Sequence, residues 1–402
     1  MKIIMVTNVI APDKLGGLER YVRELSAALF RLGHDLTIVS KRTDDQQSAN
    51  EQGDDGIRVI RVTPPHKKNP FFGLIYPVAI GVSVFMTVRR EIRMSPHAIV
   101  HGHFPVPMLL LAIRRIPYLY TCHAPVYKEL IGERQGTYAL PRVIQGVAVW
   151  GLRQVEKFVI RRAHQVVTLS DFISKEVSIL DRTASARLAL VPGGIDTIKF
   201  RPAAKVHGYS AGAGPVLFTA RRLVTRTGVE ELVASMPLIL RELPTARLFI
   251  AGDGRRRPDV EAVIRENNLD GCVELLGRIS DAELIERYQQ SDISVTPTQH
   301  LEGFGLSTAE SLACGTPAIV TPVGANGEVV GDLSPDLVTK NKTSRAIADT
   351  IISLWQNQSA LQSIRARARD QVHPSFSWPR VAQQHEELYI RTIGLRITKT
   401  QR

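Results

Sequence analysis

Cysteine is scarce in this sequence, and the motifs that usually hold a catalytic metal are missing. Three cysteines (Cys122, Cys272 and Cys314) are scattered over 402 residues, without a C-x-x-C or other metal-ligand spacing. This excludes a disulfide-rich secreted scaffold and favours buried thiols in a reducing compartment. The sequence also has no D-x-D or H-E-x-x-H pattern. We therefore expect neither a catalytic metal nor a cofactor.

Acidic residues are sparse in the first half of the chain. Residues 1–195 carry 26 Lys or Arg against 16 Asp or Glu, whereas residues 196–402 carry 25 against 23, so the first half holds most of the net charge of +12. Basic stretches are not interleaved with aromatic residues and no nucleic-acid-reading motif is present, which argues against nucleic acid as a partner. An anionic membrane surface or an anionic acceptor accounts for the asymmetry better.

Long apolar runs are few as well. The N-terminus has a short apolar run before polar residues, which is typical of a first strand rather than of a signal peptide, and we expect a cytoplasmic protein. The longest run, Phe71–Val88, has 18 uncharged residues, enough for a membrane-spanning helix. Because glycines and a proline interrupt it and arginines follow, we favour a buried helix, or one that dips into a membrane interface at the inner face of the cell membrane.

Short apolar runs alternate with longer helical patterns along the chain, which is typical of parallel α/β construction. A stretch rich in Gly, Ala and Pro, Pro202–Gly214, separates two such sets and predicts two doubly wound domains with a cleft between them. An amphipathic helix is predicted over Phe376–Arg396. The predicted strands are Lys2–Thr7, Asp35–Ser40, Ala98–His101, Tyr118–Thr121, Gln165–Leu169, Arg187–Pro192, Pro215–Thr219, Ala246–Ala251, Val273–Leu276, Ile293–Pro297 and Ala318–Thr321.

The segment Pro297–Glu310 is the most informative part of the sequence. Two carboxylates, Glu302 and Glu310, flank the turn Gly303-Phe304-Gly305, which leads into an apolar helical pattern. Such a turn presents backbone N–H groups at a helix N-terminus, where an anion can bind. Glu302 precedes the helix, and Glu310 is expected about two turns along it. The arrangement suits a ligand with both phosphates and hydroxyls, such as a nucleotide sugar; an ordinary loop with two solvated glutamates is the plain alternative.

Other polar residues follow predicted strands. Gly16-Gly17 opens a helix and can approach a phosphate or acceptor closely. Arg221-Arg222 and Arg226 stand where arginine can clamp a diphosphate. His103 and His123 end two strands of the first domain and can hold a sugar hydroxyl. A plain turn, a solvated basic loop and structural histidines are the respective alternatives, and these residues alone leave them open.

A nicotinamide-dinucleotide site is not favoured. Gly252-x-Gly254 follows a predicted strand and superficially matches the dinucleotide fingerprint, but Arg257 stands at the position of the third glycine. A dehydrogenase is therefore a distant alternative.

The sequence contains the following motifs in order: Gly16-Gly17-x-Glu19, His123, Arg222, Gly252-Asp253-Gly254, Glu302-Gly-Phe-Gly-Leu…Glu310, Val323-Gly324, Phe376-Ser377-Trp378 and Glu387-Leu388-Tyr389. From the first strand to the last helix, these motifs resemble retaining glycosyltransferase family 4. The resemblance implies an α/β protein of the GT-B fold, with two Rossmann-like doubly wound domains that face each other across a cleft. Residues 1–200 would form the acceptor-side domain and residues 201–375 the domain that binds the nucleotide-sugar donor, with helix 376–402 packing back on the first domain.

The resemblance implies a role for each residue of the glutamate segment. Glu302 would contact hydroxyls of the transferred sugar, and Glu310 the ribose of the nucleotide. The turn Gly303–Leu306 would touch the donor phosphate or sugar through the backbone N–H groups of its members, Phe304, Gly305 and Leu306.

The resemblance also implies roles outside that segment. Arg222 would neutralise the charge that grows on the departing diphosphate. Gly16 and Gly17 would line the donor phosphates from the opposite domain, and His123 would lie near the anomeric centre or the acceptor. Such enzymes retain the anomeric configuration and need no metal, which agrees with the missing D-x-D.

Two positions depart from the family pattern. The family usually has a lysine before the glycine of its R-L-x-x-x-K-G motif, and this chain has Thr227, so we expect the neighbouring Arg226 to supply the second cation. The common V-G-G-x-x-E segment has Ala325 in place of its second glycine, which is expected to alter the local approach of phosphate.

The sequence therefore predicts a glycosyltransferase that moves a sugar from a nucleotide donor, with UDP or GDP favoured as the carrier, to a lipid-linked or surface-polysaccharide glycan. Two alternatives stay open. One is another GT-B enzyme, such as a nucleotide-sugar epimerase or a glucan synthase or phosphorylase. The other is a non-catalytic subunit that binds a nucleotide sugar, for which Thr227 is the best argument.

Overall fold

A computed structural model describes residues 1–14, 16–53, 55–65, 72–129, 142–203 and 214–400 of the protein. The described residues form two compact units: the first holds those up to Gly194 and those from Trp378 onward, and the second those of Ile195–Ser377. The boundaries expected from the sequence, 200 and 375, differ from these by a few residues. Phe71 and residues 204–213 of the predicted linker lie outside the described residues.

The first unit is built on an eight-stranded sheet. Its strands are β1 (Lys2–Val6), β2 (Asp35–Lys41), β3 (Asn50–Gln52), β4 (Arg58–Val62), β5 (Ile99–Gly102), β6 (Tyr118–Cys122), β7 (Gln165–Thr168) and β8 (Leu188–Leu190). The spatial order is β3-β4-β2-β1-β5-β6-β7-β8. All neighbours are parallel except β3, which runs antiparallel to β4. This is a doubly wound order that reverses direction at β1.

The second unit is built on a five-stranded parallel sheet. Its strands are β9 (Val216–Ala220), β10 (Arg247–Ala251), β11 (Val273–Gly277), β12 (Ile293–Thr296) and β13 (Ala318–Val320). The spatial order is β11-β10-β9-β12-β13, so the strand order reverses between β9 and β12. Ligands of open parallel sheets bind outside the carboxyl ends of the strands at such a reversal.

Helices connect the parallel strands and also follow the last strand. They are α1 (Gly17–Arg31), α2 (Phe72–Met94), α3 (Pro105–Ile113), α4 (Arg142–Arg162), α5 (Asp171–Leu180), α6 (Val229–Glu242), α7 (Arg257–Glu266), α8 (Asp281–Gln290), α9 (Leu306–Ala313), α10 (Asn326–Val330), α11 (Ser344–Gln356), α12 (Gln358–Val372) and α13 (Trp378–Thr400). Short 3₁₀ helices cover Arg182–Arg187, Thr225–Thr227 and Pro335–Leu337. The α/β class predicted from the sequence is confirmed.

Continuous apolar strands form the core of the first sheet. Ile3, Ile4, Met5 and Val6 of β1 are all fully buried. Helices cover both faces of a parallel sheet, so its strands are apolar at successive positions and do not alternate between apolar and polar residues. This run is what makes β1 recognisable in the sequence.

The strands β3 and β4 were not predicted from the sequence. β3 is exposed throughout, and β4 carries Arg58 and Arg61 among its apolar residues. Arg61 is nevertheless buried, because its guanidinium pairs with Asp13 at 2.7 Å and with Glu51. Charged residues that are buried through ion pairs hide the apolar pattern on which strand prediction depends.

The apolar run that begins at Phe71 lies largely in α2. Ile80, Val84 and Val88 are buried against the rest of the unit, whereas Val78 and Met86 are exposed. No helix among the described residues combines the length and the apolar character that crossing a membrane requires.

Candidate functional site

The loop after β12 brings Glu302 to the start of α9. Gly305 is the N-cap residue of this helix and has a φ of 96°, a conformation that glycine adopts without steric cost. A Cβ at Gly305 would also lie 2.8 Å from Asn326 Oδ1. Gly305 has no side chain to cap the helix, so it leaves the N–H groups of the first turn available to an anion.

Glu302 is held in ionised form at the edge of this loop. Its Oε2 accepts a hydrogen bond of 2.7 Å from Arg221 Nη2 and one of 3.4 Å from Thr298 Oγ1. Burial alone would raise the pKa of Glu302, but Arg221 and Arg226 outweigh it and hold that pKa below its usual value. The carboxylate can therefore accept hydrogen bonds from ligand hydroxyls at neutral pH.

Arg221, rather than Arg222, is the arginine that contacts Glu302. Besides Glu302, Arg221 donates to Thr298 Oγ1 at 3.0 Å and to Ser307 Oγ, in the first turn of α9, at 3.1 Å. Arg222 is exposed. Successive side chains of an extended chain point to opposite sides, so only one of the two arginines could reach the loop, and the sequence did not show which.

Two glycines of the Gly252-Asp253-Gly254 segment allow it to pack on the backbone that carries Arg221. Gly252 has a φ of 129°, and a Cβ there would collide with the Arg221 carbonyl oxygen. A Cβ at Gly254 would collide with the Leu223 carbonyl oxygen. The Arg221 N–H donates to Ala251 O at 2.9 Å. Close backbone contact therefore accounts for these glycines.

The segment Val323-Gly324-Ala325 supports the backbone of Glu302. The Ala325 N–H donates to Glu302 O at 2.9 Å. Gly324 has a φ of 63°, and a Cβ there would collide with the same carbonyl oxygen. Ala325 is fully buried. The alanine that replaces the second glycine of the family pattern therefore supports the backbone of Glu302.

A buried polar network lies beneath the loop. Thr298 is fully buried, accepts from Asn326 Nδ2 at 3.1 Å, and its carbonyl oxygen accepts from Thr321 Oγ1 at 2.6 Å. Thr308 of α9 lies 3.4 Å from Asn326 Oδ1. Because these groups satisfy one another, the loop has a fixed shape before any ligand binds.

Glu310 is the fifth residue of α9 and is 4% exposed. At 3.6 residues per turn it stands just beyond the first turn, closer to the helix N-terminus than the two turns expected from the sequence. Phe304 is buried and its ring meets Phe376 edge-on at 5.2 Å. The ring of Phe304 thus anchors the turn in the core, and its backbone remains the part that can meet a ligand.

Arg226 also lies near Glu302, since it lowers the pKa of that carboxyl. Its Nη1 is 3.4 Å from Leu301 O. Thr227 is buried, and its hydroxyl lies 2.7 Å from Arg222 O and 2.6 Å from Val224 O. The Thr227 side chain is therefore turned toward its own backbone.

In the first unit, the two glycines before α1 differ. Gly16 is the N-cap residue in extended conformation, and a Cβ there would collide with the carboxylate of Glu19. Glu19 is buried and pairs with Lys14 at 2.7 Å. A Cβ at Gly17 would meet nothing within 4 Å. Gly16 therefore leaves room for Glu19, and Gly17 leaves open space at the helix start.

Four histidines of the first unit form one cluster: His101, His103, His123 and His385. His103 Nδ1 lies 3.2 Å from His123 Nε2, and the rings of His101 and His103 are 4.2 Å apart. Burial lowers the pKa of every member, to about 3 for His123 and about 4 for His385. His123 is therefore a neutral hydrogen-bonding group. The sequence singled out His103 and His123, but not His101, which lies inside β5, or His385, which comes from α13.

Both halves of the chain match glycosyltransferase models. Residues 15–199 match the model described as Glycosyltransferase Family 4, and residues 207–371 match the model described as Glycosyl transferases group 1.

The chain belongs to the group 1 glycosyltransferases.

Similar proteins cover nearly all of this glycosyltransferase. A glycogen synthase of Mycobacterium tuberculosis is 26% identical over 97% of this chain and 94% of its own length. A phosphatidyl-myo-inositol mannosyltransferase of Mycolicibacterium smegmatis is 23% identical over 95% of this chain and 92% of its own.

Solved structures show the same fold. A sucrose-phosphate synthase of Thermosynechococcus elongatus has a TM-score of 0.79 at 22% identity and covers 98% of this chain and 100% of its own. An Anabaena protein, HepE, in complex with UDP-glucose has a TM-score of 0.71 at 16% identity and covers 96% of this chain and 99% of its own. The GT-B fold and the family predicted from the sequence are confirmed, and the protein transfers a sugar from a nucleotide-sugar donor.

The described residues of the glycosyltransferase contain no group of three or more His, Cys, Asp or Glu side chains arranged to hold a metal ion. The four clustered histidines donate to and accept from neighbouring side chains instead: His101 lies 2.7 Å from both Tyr389 Oη and Thr121 Oγ1, and His385 lies 3.3 Å from Tyr21 Oη. The three cysteines are free thiols.

Proposed function

We propose that this glycosyltransferase moves a sugar from a UDP- or GDP-linked donor to a glycan or lipid-linked acceptor in surface-polysaccharide assembly, with retention of configuration and without a metal. One observation carries the proposal: the ionised Glu302 stands beside the uncapped start of α9, with Arg221 and Arg226 adjacent. A hydroxyl acceptor, N–H donors for phosphate and positive charge are thus combined in one loop of the second unit.

The loop and α9 suit the two ends of a nucleotide sugar. Glu302 accepts hydrogen bonds from hydroxyls of the transferred sugar, and Glu310 from the ribose. The backbone N–H groups from Gly303 to Leu306 bind the donor phosphate or sugar, because an uncapped helix start favours negative charge. HepE in complex with UDP-glucose supports a donor of this kind.

Two arginines stabilise the departing diphosphate. Breaking the bond between sugar and phosphate leaves additional negative charge on the diphosphate, and preorganised cations lower the barrier to that step. Arg222 is exposed and Arg226 is half-buried, so both can reach a bound ligand. With charge supplied by arginines, and with no D-x-D in the sequence, the transfer proceeds without a metal.

The first unit supplies the acceptor side of the proposal. His123 is half-buried and neutral, so it can accept a hydrogen bond from a sugar or acceptor hydroxyl. Gly16 and Gly17 offer a close approach of backbone to the donor phosphates, and the open space at Gly17 fits this role.

A thermal-shift screen with UDP-, GDP-, ADP- and dTDP-linked sugars tests the proposed function. A donor at a hundred times its Kd is expected to stabilise the fold by about 2.7 kcal/mol. The shift should shrink in Arg226→Ala and stay unchanged in Arg345→Ala, which removes an exposed arginine of the same unit. If Arg226→Ala keeps full donor affinity and activity, Arg226 is not the second cation.

The same screen separates the alternatives. Binding without turnover on any acceptor would identify a non-catalytic subunit. Epimerisation without an acceptor, or activity on a free sugar phosphate, would identify another GT-B enzyme. If no nucleotide sugar shifts the melting temperature, the proposed function is wrong.

A membrane-bound acceptor is the second part of the proposal. The outer face of α2 exposes Ile75, Val78, Val82 and Met86, and Arg89, Arg90 and Arg93 follow on exposed positions of the same helix. Apolar residues next to cations suit an anionic lipid surface. The similarity to a phosphatidyl-myo-inositol mannosyltransferase favours a lipid-linked acceptor. The protein would then act from the cytoplasmic side, peripherally on the membrane.

Sedimentation with vesicles of phosphatidylcholine and phosphatidylglycerol tests this part. Each arginine near an anionic surface contributes about 1 kcal/mol, so replacing Arg89, Arg90 and Arg93 with glutamine is expected to weaken binding about a hundredfold. The charge-matched control replaces three exposed arginines of the second unit, Arg265, Arg278 and Arg345. Equal binding of the two variants, or binding that ignores salt, would count against a membrane role for α2.

A further inference from the structure

Arg221 joins three parts of the candidate donor site. Its guanidinium donates to the Glu302 carboxylate at 2.7 Å, to Thr298 Oγ1 at 3.0 Å and to Ser307 Oγ at 3.1 Å. Glu302 belongs to the loop after β12, Thr298 to the start of that loop and Ser307 to the first turn of α9. A single side chain therefore fixes the carboxylate relative to the helix start at which phosphate is expected to bind.

The pair is mostly buried: the side chains of Arg221 and Glu302 are 9% and 14% exposed. Arg221 Nε is also buried and has no acceptor among the described residues. Buried ion pairs with incomplete hydrogen bonding contribute little to stability, and an unsatisfied buried donor is costly. Stability is thus a poor explanation for placing an arginine here.

Arg221 engages one oxygen of Glu302 and leaves the other available. Oε2 carries both hydrogen bonds of the carboxylate, from Arg221 and Thr298. Within the part of the chain that the structure describes, no side chain or backbone group donates to Oε1. An ionised carboxylate with one oxygen anchored can present the second in a fixed direction.

We infer that Arg221 is a positioning residue, which anchors Glu302 Oε2 so that Oε1 accepts a hydroxyl of the donor sugar. The inference rests on the proposed role of Glu302 and goes beyond it, because it assigns to Arg221 the orientation and the charge state on which that role depends. Arg226, on the 3₁₀ helix Thr225–Thr227, is the other cation near the carboxylate. It lies 3.4 Å from Leu301 O.

The first readout is the titration of Glu302, which needs no substrate. In protein labelled with ¹³C at glutamate Cδ, the signal of Glu302 is assigned by its loss in Glu302→Gln. Removing Arg221 leaves Glu302 buried with less compensating charge, so in Arg221→Ala its pKa is expected to rise by about 1–3 pH units. In Arg221→Lys the charge remains and the pKa is expected to stay low.

The second readout is the pH profile of kcat/KM with the donor that the thermal-shift screen identifies. A carboxylate that must be ionised gives activity that falls as pH drops through its pKa. The acid limb is therefore expected to move to higher pH in Arg221→Ala. In Arg221→Lys it should stay in place, while kcat falls about a hundredfold because a lysine cannot reproduce the contacts of the guanidinium fork. Guanidinium ion added to Arg221→Ala should restore part of the activity.

These readouts separate positioning from a structural role. A merely structural Arg221 would lower the melting temperature of Arg221→Ala but leave the acid limb and the Glu302 titration unchanged, and that result would overturn the inference. If Arg221→Ala fails to fold, Arg221→Lys decides: full activity would overturn the inference. If the protein transfers no sugar at all, the proposed function fails, whereas the Glu302 titration still shows whether Arg221 controls the carboxylate.

Discussion

Replacing Glu302 with glutamine is expected to remove most of the sugar transfer while leaving the binding of the free nucleoside diphosphate almost unchanged. Glutamine has nearly the same shape but no charge. A hydrogen bond to a charged group contributes about 1.5–3 kcal/mol, so kcat/KM should fall roughly ten- to a hundredfold. The exposed Glu274 of β11 provides the control, since Glu274→Gln should change neither quantity.

Replacing Glu310 is expected to affect binding differently from replacing Glu302. It lies just beyond the first turn of α9 and is proposed to bind the ribose, which the sugar nucleotide and the free nucleoside diphosphate share. Glu310→Gln is therefore expected to weaken both ligands by a similar factor. Equal losses of sugar-specific affinity in Glu302→Gln and Glu310→Gln would mean that the two carboxylates do not have separate roles.

Acid is expected to unfold the first unit before the second. The histidines of the cluster are held neutral in the folded state, whereas in the unfolded chain each takes up a proton near its usual pKa. The unfolded state then binds more protons, so stability falls as pH drops. Burial lowers the pKa of His385 from 6.5 to about 4, so this residue reduces the free energy of unfolding as pH falls between these two values. The full loss is roughly 3 kcal/mol, at about 1.4 kcal/mol per pH unit.

Hydrogen exchange at a series of pH values between 7 and 4 measures this effect for each unit separately. Protection in β1, β5 and β6 is expected to fall steeply below pH 6.5, the usual value for histidine, while protection in β9 and β12 changes less. His385→Gln should reduce the slope of stability against pH by about one proton, and His97→Gln, at an exposed position, should not. A slope that His385→Gln leaves unchanged would show that the cluster does not control acid stability.

The sequence predicted the parts of the fold that depend on local pattern. β1 is apolar from Ile3 to Val6 because both faces of the sheet are covered, and the turn before α9 has two glycines at fixed positions. β3 and β4 were missed because Arg61 is buried through ion pairs with Asp13 and Glu51. A local pattern cannot show a charge that is compensated from a distant part of the chain.

The candidate site was predicted in composition but not in pairing. Glu302 and the arginines after β9 were identified, yet Arg221 rather than Arg222 contacts Glu302 at 2.7 Å. That choice depends on which way the backbone turns after β9, where the Gly252-Asp253-Gly254 segment packs on it. Likewise, His385 joins the histidine cluster although it lies 282 residues after His103 in the sequence. Its ring contacts the rings of Tyr21 and His101. No rule based on sequence spacing predicts a contact over that separation.

Calorimetric titration of the wild-type protein, Glu302→Gln and Glu310→Gln, each with the nucleoside diphosphate and with its sugar conjugate, tests the central claim most directly. The wild-type protein should bind the sugar conjugate with an additional contribution from the sugar. Glu302→Gln should lose that contribution and keep the affinity for the nucleoside diphosphate, whereas Glu310→Gln should lose affinity for both ligands alike. If the nucleoside diphosphate binds Glu310→Gln as tightly as the wild-type protein, and Glu302→Gln keeps the contribution of the sugar, the segment Pro297–Glu310 is not the donor site.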